Sequence, residues 1–165
     1  MRFETPKGVS DIWFEEFDRR KWLYSRIEKV LRSYGFAFME PSPLEYLETL
    51  VAKSGPEIEK EIYSFEDKKG EKLALRFDLT VGMARMIASK QLPLPVRAAN
   101  IGSVWRYDNP QHGRYRWFWQ WDAEIFGSSN PASDAEIIAV TCGIMDSAGL
   151  KDYTVAMNSR KLIEV

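Results

Sequence analysis

The stretch RYDNPQHGRYRWFWQWDAEIFG, residues 106–127, carries the strongest indication of this chain's fold and of its site. It holds three arginines, three of the six tryptophans and the only histidine of the chain. This mixture fits a nucleic-acid-binding patch, a core strand with a charged turn, or an active site. Two features distinguish these three interpretations: the alternation of residues along the stretch, and the segments on either side of it.

We expect a long strand over residues 114–126, in which successive side chains point to opposite faces. One face is apolar: Trp117, Trp119, Trp121, Ala123 and Ile125. The other face carries a cation, a ring, an amide and two carboxylates: Arg116, Phe118, Gln120, Asp122 and Glu124. A polar row is often only a solvated sheet face. The aromatic opposite face indicates a central strand, however, so we favour a site.

Two arginines lie at the ends of the segment that leads into this strand. Arg106 ends the preceding strand segment, and Arg114 lies beside the polar loop 108–113 that also holds Asp108. Guanidinium groups near a ring and an amide suit a phosphate with a stacked base. His112 lies in the same loop and has no second histidine to share a metal ion, so we expect no metal site.

Composition narrows the classes of protein. The chain has 165 residues, enough for about one domain, and a formal net charge of −1 with a pI of about 6.0. Contact with nucleic acid would therefore be local. The single cysteine, Cys142, excludes an internal disulfide framework. With no apolar run that could cross a membrane and no signal-peptide core, we expect a cytoplasmic protein.

The flanking segments mix helices with hairpin strands. The spacing of apolar residues predicts a helix over residues 13–34 that Gly35 ends. FAFME and NIGSVWRY have strand character, and IYSF with KLALRF predicts a hairpin with Gly70 in its turn. Further helices are expected from Asp78 or Thr80 to about residue 90, and from a Ser133/Glu136 capping box to about residue 149. YTVAMNSRKLIEV, residues 153–165, begins like another strand.

This order of elements lacks a regular alternation of strand and helix. It favours an α+β fold with a largely antiparallel sheet flanked by helices.

Several motifs, in order along the chain, resemble those of the histidyl-tRNA synthetases, a class II aminoacyl-tRNA synthetase family. SVWRYDNPQHGRYRWFWQWDAEIFG resembles the family's motif 2, and KLALRFDLTVGMAR resembles its histidine-binding segment. EKEIYSFEDKKGE resembles the hairpin before that segment, and TPKGVSDIW the N-terminal signature. YGFAFMEPSPLEYLETL resembles motif 1, with Pro43 at the characteristic proline.

The resemblance implies a fold, a domain and a reaction. Residues 1–165 would be the N-terminal part of a class II catalytic domain, with motif 3, a second histidine motif and the anticodon-binding domain beyond Val165. The enzyme would be a histidine–tRNA ligase that activates L-histidine with ATP and Mg²⁺ and transfers it to the histidine tRNA. Motif 1 would form a homodimer interface. We expect the 165 residues alone to be an incomplete enzyme.

The resemblance also implies site residues, carried over by motif. Those implied to bind histidine are Asp78, Leu79, Thr80, Arg106, Gln120 and Glu124. Those implied to bind ATP are Arg106, Asp108, Arg114 and Phe118. Arg106 would be catalytic, because it would grip both the α-phosphate and the histidine carboxylate. No residue is implied to bind a metal.

Plainer interpretations stand beside these roles. Asp78 and Thr80 could simply cap a helix, Glu124 could be a surface carboxylate, and the apolar stripe over residues 13–34 could be core. A non-catalytic relative, such as the synthetase-like regulatory subunit of histidine biosynthesis, would keep the fold without the adenylation chemistry. A simple RNA-binding module is a third alternative, which the net charge of −1 disfavours.

Overall fold

The computed structural model describes residues 2–54 and 56–159. The helices are α1 (Phe14–Ser33), α2 (Leu47–Ser54), α3 (Thr80–Ala88) and α4 (Pro131–Ser147), with a 3-10 helix at Pro56–Glu61. The strands are β1 (Ala37–Phe38), β2 (Leu44–Tyr46), β3 (Ser64–Glu66), β4 (Lys72–Leu75), β5 (Val96–Trp105) and β6 (Trp117–Phe126). Within the described residues, no helix has the length and apolar character needed to cross a membrane.

Two three-stranded sheets make up the β-structure of the described residues. One has the order β1-β5-β6 and the other β2-β4-β3. Of the strand pairs in these two sheets, the short β1–β5 pair is parallel and the others are antiparallel. The expected α+β architecture with a largely antiparallel sheet and flanking helices is therefore confirmed.

The hairpin and the first helix lie where the sequence indicates. β3 and β4 pair around a turn in which Gly70 has a φ of +84°, a conformation that favours glycine. α1 begins one residue after the predicted start and ends just before Gly35. Local residue chemistry was sufficient for both elements.

The start of α4 differs from the prediction. Asn130 is the N-cap, and its side chain accepts a hydrogen bond from the Ala132 backbone N–H at 2.9 Å. The Ser133/Glu136 capping box was therefore wrong, because an asparagine followed by a proline supplies a better helix start three residues earlier. Glu136 instead binds Arg97 of β5 through two hydrogen bonds.

Two strand predictions also require correction. β6 begins at Trp117 rather than at residue 114, because Arg114 and Gln111 exchange backbone hydrogen bonds in a tight turn of their own. Residues 153–159 form no strand, since their backbone joins neither sheet. The rest of that expected segment, residues 160–165, lies outside the described residues.

Strand β6 separates two apolar clusters. Trp121, Ala123 and Ile125 pack against α1 and α4, in a cluster that includes Leu31 and Val140. Of the three tryptophans on this face, Trp121 belongs to this cluster, and the Trp119 ring meets the Tyr24 ring of α1 edge-on at 6.5 Å. On the other face, Phe118 and Phe126 pack against Leu79, Met83, Ala98 and Val104.

The two sheets are joined by one buried arginine. Arg76, directly after β4, donates from Nε to the Ser103 carbonyl of β5 at 2.8 Å. Its Nη1 donates to the Pro41 carbonyl at 2.7 Å and to Glu40 at 2.8 Å. A side chain at Gly102 would collide with this guanidinium, because its Cβ would lie 2.5 Å from Nη2. Arg76 thus fixes the segment after β4 against β5.

We expect Arg76→Met to lower the free energy of unfolding by about 2–4 kcal/mol, because the Pro41 and Ser103 carbonyls lose their charged donor. Urea unfolding followed by circular dichroism measures this. The control is Arg19→Met, which removes only an exposed ion pair with Glu15 and should change stability by less than about 0.5 kcal/mol. Equal effects of the two substitutions would contradict the role of Arg76.

Candidate active site

A cavity of about 420 Å³ lies along the edge of β6 that is not paired with β5. Residues of β6, of the end of β5, of the start of α3 and of α4 line it. These residues are Asp78, Thr80, Arg106, Gln120, Trp121, Asp122, Ala123, Glu124, Ile137 and Thr141. Five of the six residues implied to bind histidine therefore share one cavity, although they come from segments up to 46 positions apart in the sequence.

Arg106 is held in a fixed orientation at one end of the cavity. Its Nε donates to the Phe77 carbonyl at 2.9 Å, and its Nη2 donates to Gln120 Oε1 at 3.0 Å. The guanidinium carbon lies 5.1 Å from the centre of the Phe118 ring, a distance that allows a cation–π interaction. The backbone and the ring thus direct the positive charge before any ligand arrives.

Acidic side chains lie toward the other end. Thr80 Oγ1 lies 2.8 Å from Glu124 Oε1 and 3.2 Å from Asp122 Oδ2. Gln120 Nε2 donates to Asp122 Oδ1 at 3.0 Å. Arg106, Gln120, Asp122, Thr80 and Glu124 therefore follow one another across β6 and the start of α3, each within hydrogen-bonding distance of the next.

The start of α3 positions Asp78 and Thr80 differently. Asp78 Oδ1 accepts from the Val81 backbone N–H at 3.2 Å, which is the helix-capping role expected for it. The Thr80 hydroxyl points to the carboxylates of β6 instead. Leu79, between them, has a fully buried side chain packed in the core, and it is not among the residues that line the cavity.

The residues implied to bind ATP divide between the cavity and the loop. Arg106 lines the cavity, whereas Asp108 and Arg114 pair with each other at 2.9 Å in the loop between β5 and β6. This hydrogen bond to Asp108, and then the carboxylate's charge, raise the pKa of Arg114 above its usual value. The arginine stays fully charged. Phe118 lies under Arg106.

Arg116 and His112 take no part in the cavity. Arg116 donates to the backbone carbonyls of Asp108 and Lys7, and its guanidinium lies 4.2 Å from the centre of the Tyr107 ring. It therefore holds the N-terminal segment against the loop. His112 is exposed, and the described residues contain no cluster of three acidic, histidine or cysteine side chains that could hold a metal ion.

The cavity combines one oriented guanidinium with three carboxylates, those of Asp78, Asp122 and Glu124. Such a set suits a small zwitterion whose carboxylate lies at Arg106 and whose cationic or N–H groups lie at the acidic end. Asp122 was on the polar face of the predicted strand, but the motif resemblance gave it no role. Its contact with Thr80 depends on the placement of α3 against β6, which the spacing of residues along β6 does not reveal.

The sequence profile of the histidyl-tRNA synthetases matches residues 8–165. The chain belongs to this family. A histidine–tRNA ligase from Aeropyrum pernix is 45% identical to it over 165 residues, which is 98% of this chain. The match covers 38% of that relative, so the chain spans well under half the length of the curated proteins it resembles.

Solved structures agree with this membership. A structure from Bacillus halodurans, described as an ATP phosphoribosyltransferase regulatory subunit/histidyl-tRNA synthetase, has a TM-score of 0.83 and 28% identity. The likeness covers 92% of this chain and 40% of that one. A histidyl-tRNA synthetase from Nostoc sp. PCC 7120 has a TM-score of 0.75 and 30% identity, over 88% of this chain and 34% of that one. The class II synthetase-like fold is thus confirmed.

The fixed orientation of Arg106 can be tested without a ligand. Two separate nitrogens of Arg106 reach the Phe77 carbonyl and the Gln120 amide oxygen. A lysine ammonium lacks this planar fork, so we expect Arg106→Lys to lower the free energy of unfolding by about 1–2 kcal/mol. The control, Arg114→Lys, keeps a positive charge beside Asp108 at a half-exposed position and should cost less than about 0.5 kcal/mol. Urea titration of both variants measures this, and a smaller cost at Arg106 than at Arg114 would contradict the geometry described above.

Proposed function

We propose that this chain is part of a histidine–tRNA ligase, which activates L-histidine with ATP and transfers it to the histidine tRNA. The observation that supports this most directly is the single cavity lined by Asp78, Thr80, Arg106, Gln120 and Glu124. All five are implied histidine contacts around a volume suited to an amino acid. Four of them, Arg106, Gln120, Thr80 and Glu124, also have hydrogen-bond contacts with one another or with Asp122.

In the proposed first step, the histidine carboxylate attacks the α-phosphate of ATP and pyrophosphate leaves. The carboxylate is already ionised at neutral pH, so no general base is needed to form the nucleophile. The requirements are alignment and neutralisation of charge. Arg106 would meet both requirements. Phe77 and Gln120 fix the direction of its guanidinium, and its positive charge lies at the end of the cavity where the substrate carboxylate would bind.

Histidine selectivity would come from the acidic end. Glu124 would accept a hydrogen bond from the imidazole N–H, while Asp78 and Thr80 would hold the α-amino group. An apolar side chain in place of imidazole would leave Glu124 without this donor, with only the Thr80 hydroxyl beside its Oε1. Sites built in this way reject such analogues strongly.

The residues around the loop suit ATP. Phe118 would lie under the adenine, Asp108 would accept from the adenine amino group, and Arg114 would approach the phosphates. Because Asp108 and Arg114 hold each other at 2.9 Å, ATP binding would have to divide this pair between base and phosphates. We assign no residue of this chain to Mg²⁺, which would arrive on the phosphate oxygens of ATP.

We also propose a homodimer through the motif 1 region. In support, α1 exposes Phe14 and Phe17, and β2 exposes Leu44 and Tyr46. Phe14 is 79% exposed and its ring contacts that of Trp13, which is 66% exposed, and exposed apolar patches of this kind suit a protein contact. The apolar stripe over residues 13–34 would then be part core and part subunit interface.

The chain would form the N-terminal portion, motifs 1 and 2, of a class II catalytic domain. The edge of β6 supports this: it runs for ten residues and, among the described residues, has a strand partner only on the β5 side. Long open edges are usually covered in native proteins. Further strands of the catalytic domain would cover this edge and close the cavity.

We expect Glu124→Ala in the full-length protein to reduce histidine-dependent exchange between pyrophosphate and ATP to the background rate, because the imidazole loses its acceptor. Radiolabelled pyrophosphate incorporation measures this. The matched control is Glu71→Ala, in the β3–β4 hairpin and remote from the cavity, which should keep the wild-type rate. Unchanged exchange in Glu124→Ala would contradict the histidine site.

The alternative is a regulatory relative that binds histidine without adenylating it. The Bacillus halodurans structure supports this alternative, because its description names both a regulatory subunit and a synthetase. The two candidates differ in ATP binding. Because Asp108, Arg114 and Phe118 are all present, we expect the full-length protein to bind ATP.

Arg114→Ala should weaken ATP binding about tenfold, because one charged phosphate contact is lost, and should leave histidine binding unchanged. Isothermal titration calorimetry with each ligand separately measures both. The control is Arg32→Ala, which removes an exposed ion pair of α1. Histidine binding without any ATP binding would favour the regulatory alternative.

A further inference from the structure

Asp122 lies between two of the proposed histidine contacts. Its Oδ1 and Oδ2 accept from Gln120 Nε2 at 3.0 and 3.2 Å, and its Oδ2 lies 3.2 Å from the Thr80 hydroxyl. The side chain also lines the cavity. No role in the proposed reaction has been assigned to it so far.

Asp122 and Arg106 together determine which way the Gln120 amide points. Arg106 only donates, so it requires the amide oxygen at a distance of 3.0 Å. The ionised Asp122 only accepts, so it requires the amide nitrogen. A flipped amide would place its NH₂ group against the guanidinium and its oxygen against the carboxylate. Without Asp122, only one of these two constraints remains.

Asp122 also shares a donor with Glu124. The Thr80 hydroxyl has one hydrogen and two carboxylate neighbours, Glu124 at 2.8 Å and Asp122 at 3.2 Å, so it donates to one of them at a time. The second carboxylate then has an acceptor oxygen available next to the cavity. A ligand ammonium or imidazole N–H would supply the missing donor.

We propose that Asp122 is a positioning residue for the amino-acid substrate. It holds the Gln120 amide with its oxygen toward Arg106. It also shares the Thr80 hydroxyl with Glu124, so that a carboxylate oxygen is available to accept from the substrate's N–H groups. This inference rests on the proposed function, since it assigns a role within the same histidine site. Asp122 acts through its neighbours, so the effect of its loss should fall on histidine and not on ATP.

The test compares two substitutions in the full-length protein by steady-state pyrophosphate exchange. Asp122→Ala removes the acceptor, and we expect the KM for histidine to rise about tenfold or more while the KM for ATP stays within about twofold. Asp122→Asn keeps a side-chain oxygen that accepts from Gln120, and its KM for histidine should stay within about threefold of wild type. Asp152→Ala, at an exposed position outside the cavity, is the control for removing one aspartate.

Each outcome has a defined meaning. Partial unfolding would lower the apparent kcat and leave both KM values unchanged, so the KM for histidine reports on the site itself. An active wild type with an unchanged KM in Asp122→Ala would overturn the role of Asp122 alone. A rise in Asp122→Asn as large as in Asp122→Ala would also overturn it, because charge and not the hydrogen bond would then matter. A wild type without histidine-dependent exchange would instead contradict the proposed function.

Discussion

The buried guanidinium of Arg76 is the constraint on which the rest of this structure depends. It joins the segment after β4 to the Ser103 carbonyl of β5. The backbone carbonyl of Arg76 also accepts from the Trp105 backbone N–H, at 3.0 Å. Since Phe77 follows directly, its carbonyl lies where Arg106 can donate to it. Three residues further on, Thr80 reaches Glu124. The relation between the two sheets therefore sets the geometry of the cavity.

The cavity shows how a strand can serve two purposes through its two faces. Trp121 and Ile125 of β6 pack in the core formed by α1 and α4, which keeps the strand rigid. Gln120 and Glu124 on the other face are thereby held in place without any contribution from the ligand. Preorganised polar groups of this kind favour binding because little ordering remains to be done when the ligand arrives.

Sequence patterns predicted the fold where local chemistry is decisive. The two faces of β6, the Gly70 hairpin and α1 followed from alternation, turn residues and helical spacing. The start of α4 was misplaced by three residues, because Asn130 followed by a proline is a better helix start than the Ser133/Glu136 pair. The motif resemblance named five of the ten residues that line the cavity. The pairing of Asp108 with Arg114 and the place of Asp122 depend on contacts distant in sequence. Those contacts are set by the packing of α3 and of the loop, which no local pattern encodes.

The central proposal is that histidine binds in the cavity between Arg106 and Glu124. A crystal structure of the full-length protein with bound L-histidine tests it most directly. We expect the substrate carboxylate within hydrogen-bonding distance of the Arg106 guanidinium, the imidazole N–H on Glu124 and the ammonium group beside Thr80. Histidine bound elsewhere, or a cavity left empty at a saturating histidine concentration, would contradict the proposal.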